Sequence, residues 1–164
     1  MSSMSRQKLV EAWIKKIPRK DKSVVRKIEV VSRRLTSLSG APAQAIAKRT
    51  EKIIQVSLAG YENVAEWLSP EVAHEIGHFL YMSLPVNFQS KWERVTEEEG
   101  SVYEDITGGR IASFIRFRAE ENFADWYRFK LHPSISASMF NLKGVYPKTY
   151  KLFKKFWTNR YGKW

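Results

Sequence analysis

Two short stretches carry residue types that could do chemistry. Residues 74–78 read His-Glu-Ile-Gly-His, and 43 residues beyond His78 comes Glu121-Asn-Phe-Ala-Asp125. Residues four apart share one face of a helix, so His74 and His78 can present two imidazoles to one ion. Zinc accepts neutral imidazole nitrogen at about 2.0–2.1 Å, and catalytic zinc keeps three protein ligands plus a water. Glu75 directly follows the first imidazole and is placed to take a proton from that water. Zinc lowers the pKa of the water to about 7, so hydroxide is available at neutral pH. The chemistry implied is zinc-dependent hydrolysis. The competing reading is a pair of ordinary core histidines. The chain has only three His, and two of them bracket a Glu at this spacing, which favours the metal.

A third ligand must come from elsewhere, and Glu120, Glu121, Asp125 and His132 are the candidates. Residues 119–131 have a helical pattern, with Phe123, Trp126, Tyr127 and Phe129 in a broad apolar stripe. Glu121 and Asp125 are four apart and share a face, whereas Glu120 points about 100° away. Glu121 is therefore the favoured ligand. Asp125 can accept from the second ring N–H of a ligating His, a partner that metal-bound His almost always has. His132 precedes Pro133 at a helix end, where a His commonly meets terminal carbonyls.

Val72-Ala-His-Glu-Ile-Gly-His-Phe-Leu80 followed by Ala119-Glu-Glu-Asn-Phe-Ala-Asp-Trp-Tyr-Arg-Phe129 resembles the gluzincin class of zinc peptidases. More narrowly, it is similar to small catalytic domains like that of anthrax lethal factor, including phage- and virus-borne relatives. His132-Pro133 and Pro147-Lys-Thr-Tyr150 extend the likeness, which covers roughly residues 52–155. The resemblance implies zinc on His74, His78 and Glu121, with Glu75 as general base. It also implies a tyrosine about two helical turns before the third ligand, to stabilise the oxyanion. Phe114 stands at that position. Tyr103, Tyr127 and Arg110 are the alternative donors. Removing one oxyanion donor typically costs about 10²–10³ in turnover, so this departure bears on rate more than on metal binding. Metzincins need a third His in a longer run, which is missing here. Classes with a Cys ligand are excluded because the chain has no Cys.

These residues need elements to hold them. Ser69 and Pro70 suit the cap and first position of a helix carrying the His pair, and Pro85 stops it. Lys52–Leu58 alternates and is β-branched, which predicts a strand. In this class of peptidase such a strand lies at a sheet edge beside the site, where substrate adds as a further strand. The patterning predicts helices over residues 6–17 and 21–38, with Val24, Val25, Ile28, Val31 and Leu35 inward in the second. Further helices are expected over 87–99, ending at Gly100, and from Pro147 to Tyr161, with a short one after Pro133. Residues 107–110 read as a turn and 111–118 as a strand or extended loop. The expected fold is α+β, a mainly helical zincin-like domain with a small mixed sheet. One domain spans 1–164, with a basic helical part over 1–50 and a metallopeptidase core over 52–155.

Composition bounds the partners. The net charge is +11, distributed as +10 over residues 1–60, −8 over 61–125 and +9 over 126–164. The acidic middle holds the site and would attract cations and basic peptides. The basic ends could meet nucleic acid, an anionic surface or an acidic partner, or simply solvate helices. No apolar stretch has signal-peptide or membrane-span length. The expectation is a soluble protein, cytoplasmic or associated with a virus or phage. Its substrate would be a protein or peptide. The rival classes are a non-catalytic zinc-binding structural or regulatory protein of a virus or phage, and a nucleic-acid-associated zinc protease.

Overall fold

The computed structural model describes residues 5–37, 40, 42–59, 68–102, 104, 115–135 and 141–164. The fold is α+β and mainly helical, with a small mixed sheet. The chain divides into two compact units, Met1–Met82 and Ser83–Trp164.

In the first unit, α1 spans Arg6–Trp13 and is capped by Ser5, whose side chain accepts from the Lys8 amide. It buries Leu9 and Trp13. A single-turn helix, α2 (Arg19–Lys22), follows Pro18. The helix expected over 21–38 is absent. In its place stand α2, β1 (Lys27–Val31) and β2 (Leu35–Thr36), so the basic first 50 residues are not purely helical. β1 pairs in parallel with β5 (Ile53–Ser57) in the register Lys27↔Ile53. Five inter-strand partners outweigh a helical spacing of apolar residues, because Ile28, Val30 and Val31 are β-branched and pack well on a pleated surface.

β3 (Pro42–Ala43) pairs with β2, and β4 (Ala45–Lys48) pairs antiparallel with β5. The three-stranded sheet therefore runs β1-β5-β4. The strand predicted over 52–58 exists, but it is the central strand and not an edge. All five of its residues are buried. Its polar side chains are satisfied there. Gln55 accepts from Arg33 and donates to Glu29, and Ser57 Oγ donates to the Arg33 carbonyl. The long helix α3 (Ser69–Met82) packs on β4, β5 and α1. Ser69 is its first residue, and Ser69 Oγ donates to the Trp13 carbonyl at 2.9 Å, tying α3 to the end of α1.

The second unit is helical. α4 (Val86–Glu99) ends at Gly100, whose φ of 88° is a left-handed conformation that favours glycine. α5 covers Ile115–Leu131. Residues 115–118, expected to be extended, thus form its first turn; residues 105–114 lie outside the described residues. A turn of helix starts at Pro133, followed by α6 (Leu142–Val145) and α7 (Pro147–Tyr161). An aromatic core joins α4, α5 and α7. The Trp92 ring lies 5.3 Å from Phe123 and 6.0 Å from Phe153. Edge-on and tilted arrangements like these are the favourable ones for aromatic pairs. Among the described residues, no helix is long and apolar enough to cross a membrane.

Candidate metal centre

The first half of the site is built by α3 alone. Val72, Ala73, Ile76 and Leu80 are fully buried, which fixes the rotation of the helix and leaves its motif residues little freedom. His74 and His78, one turn apart, are 8% and 5% exposed. Their Nε2 atoms lie 3.1 Å apart and their ring planes meet at 85°. Two ligands about 2.0–2.1 Å from a tetrahedral ion would be roughly 3.3 Å apart, so the observed pair already has the separation that a shared metal requires. Glu75 is partly exposed, unlike its neighbours. A carboxylate that must exchange protons with water benefits from that access.

The second half is built by α5. Ala119, Phe123, Ala124 and Trp126 are buried, and two polar ties set the helix register against α4. Trp92 Nε1 donates to the Ala119 carbonyl at 2.8 Å, and Asn122 donates to Thr96 Oγ1 at 3.0 Å. Asn122 also accepts from the Val102 amide. Glu121, between those anchored residues, is 8% exposed, and Asp125 is completely buried. One Asp125 oxygen lies 2.8 Å from Arg128 Nη2. Arg128 went unremarked in the sequence. Its spacing of three from an acidic residue on a helix is the signal that could have found it.

Among the described residues, one group offers a donor atom from each of three side chains within 4.8 Å of one another: His74, His78 and Glu121, all buried. These are the three residues expected to bind the ion. Glu120, Asp125 and His132, also buried, are not in that group. Neutral imidazole and carboxylate are both zinc ligands, and buried charge of this kind is normally paired or bound to metal. The donor set therefore fits a zinc ion.

Of the suggested oxyanion donors, Tyr127 is fully buried, with its ring 6.0 Å from that of Trp157. Tyr103 and Arg110 lie outside the described residues, as does Phe114. No protein-family model matches the chain, and no curated protein matches it.

Proposed function

We propose that this chain is a zinc-dependent peptidase of the gluzincin type, with zinc held by His74, His78 and Glu121. The observation that carries this reading is the group of three buried donor atoms within 4.8 Å of one another, with the partly exposed Glu75 on the same helix as both histidines. Structural zinc usually has four protein ligands, whereas catalytic zinc keeps one position open. Among the described residues the group has three such ligands, which favours catalysis.

Bound there, zinc would supply Lewis acidity toward a substrate carbonyl and toward water. The chain's own residues do the rest. Glu75 accepts a proton at its carboxylate and returns it to the departing amine, a role typically worth about 10²–10⁴ in rate. Asp125 would orient a ligating imidazole by accepting from its second ring N–H. Tyr103, Arg110 or Tyr127 donates to the developing oxyanion in place of a tyrosine at position 114.

The test is cleavage of a mixed peptide library by wild type and Glu75→Gln, with zinc content measured on both. Zinc retained in both proteins, with cleavage lost in the variant, is the expected result. Equal cleavage would overturn the role of Glu75. Tight zinc without any cleavage would favour a non-catalytic zinc protein.

A further inference from the structure

In the second unit, α4 and α7 border a surface groove of about 480 Å³. Its floor is apolar, formed by Val95 and Leu152. Its walls carry Lys91 and Arg94 from α4, and Lys148, Lys151 and Lys155 from α7, all exposed. A single carboxylate, Glu98, lines it as well, and that group is already engaged by Lys148 at 2.8 Å. Nearby Glu99 is also committed: it accepts from the Lys148 and Thr149 amides and from Thr149 Oγ1 at the start of α7. Among the described residues, Lys91, Lys151 and Lys155 have no ion pair.

This row is costly for the isolated protein. Lys148, Lys151 and Lys155 are spaced three and four apart along one face, where like charges repel. With Glu98 and Lys148 paired to each other, the remaining charges lining the groove are all positive, and such a groove focuses its field outward. An anion that spans both walls would relieve the repulsion. Seven residues of helix rise about 10 Å, long enough for the row to follow successive phosphates of an extended strand. A flat anionic bilayer does not reach the floor of a groove, and no large apolar side chain among its lining residues is exposed for insertion.

We propose that the α4–α7 groove binds the phosphodiester backbone of a single nucleic-acid strand. Lys91, Arg94, Lys151 and Lys155 contact phosphates, and Val95 and Leu152 pack against sugar and base. The site is independent of the metal centre and holds whether or not the chain cleaves peptides.

The experiment uses the full chain and a fluorescent mixed-sequence 20-nucleotide single strand, followed by anisotropy across a salt series. Four phosphate contacts predict a slope of about −2.8 in log K against log salt, at about −0.7 per contact. Lys151→Gln with Lys155→Gln should weaken binding at least tenfold and flatten the slope by about 1.4. Lys8→Gln with Lys15→Gln, which removes the same charge from the first unit, should leave both nearly unchanged. A second readout needs no variant: the oligonucleotide should protect Lys91, Lys151 and Lys155 from acetylation, and not Lys8 or Lys15. Equal weakening by both double variants, protection spread over all lysines, or no binding would overturn the proposal. So would binding of polyglutamate or anionic vesicles but not the oligonucleotide.

Discussion

His74 and His78 point their Nε2 atoms at each other across 3.1 Å, one helical turn apart and almost edge to face. The same ring nitrogens that a metal would use are therefore already convergent. Convergence of this kind restricts what the helix can tolerate. Substituting either ring removes half of what α3 offers an ion, while the packing of Val72, Ile76 and Leu80 should survive.

Zinc content is thus the first thing to measure. Wild type should carry about one zinc per chain, and His74→Ala, His78→Ala and Glu121→Ala should each carry far less. Catalytic zinc needs three protein ligands. Chelation followed by added zinc should restore the wild type only. Full metal content in Glu121→Ala would remove that residue from the ligand set and return attention to His132 or Glu120.

Asp125 and Arg128 form a pair that is almost out of water, with side-chain exposures of 0% and 14%. Removing one member of a buried pair typically costs about 3–5 kcal/mol, because the other charge is left uncompensated. Asp125→Ala should lower the melting temperature by several degrees or more. It should also weaken zinc about 10–100-fold, the usual effect of losing a group that orients a ligand. Arg128→Met leaves the fully buried Asp125 carboxylate uncompensated and should destabilise at least as much, while sparing zinc. Equal zinc affinity in wild type and Asp125→Ala would confine Asp125 to the ion pair.

Trp92 ties the second unit together through its ring and through its N–H to the Ala119 carbonyl. Trp92→Ala should cost about 3–5 kcal/mol, as aromatic deletions in cores do. Trp92→Phe keeps most of the packing and loses only an extra hydrogen bond to a carbonyl that α5 itself already satisfies, costing about 0.5–1.5 kcal/mol. Denaturant titration of both variants distinguishes the two contributions.

The Glu98–Lys148 contact makes a pH-dependent prediction. The hydrogen bond from Lys148 holds the Glu98 carboxyl below its ordinary 4.5, and the same bond raises Lys148 above its ordinary 10.5. A lowered carboxyl contributes stability that is complete above 4.5 and lost as pH falls through the lowered value. A raised ammonium contributes stability that is complete below 10.5 and lost as pH rises through the raised value. Glu98→Gln should therefore melt slightly below wild type at neutral pH and match it at either extreme. Both groups are exposed, so 1 M salt should erase the difference at neutral pH.

How much of this was legible beforehand depends on whether the signal was local. α3, α5 and α7 were readable because their apolar stripes and end residues lie within the helices themselves. α7 runs from Pro147 to Tyr161, the bounds expected. The three ligand candidates were readable because spacing of four on a helix is a local property. β1 was not readable. Val24, Ile28, Val31 and Leu35 have helical spacing, and the partner that makes a strand of Lys27–Val31 begins at Ile53. The central position of β5 was hidden for a similar reason. Gln55 and Ser57 look like a solvent face until Arg33 and Glu29 arrive to bond them.

The parallel β1–β5 ladder has a consequence in time. Its first partners, Lys27 and Ile53, are separated by 26 residues of chain. The entropy of closing that loop must be met before the central strand gains its main partner, which slows such pairings relative to helices. The β5 amides that bond to β1 should therefore become protected from exchange with solvent later during refolding than those of α4 and α7. Pulse-labelling with deuterium would time the two events, and simultaneous protection would show that the second unit waits for the first.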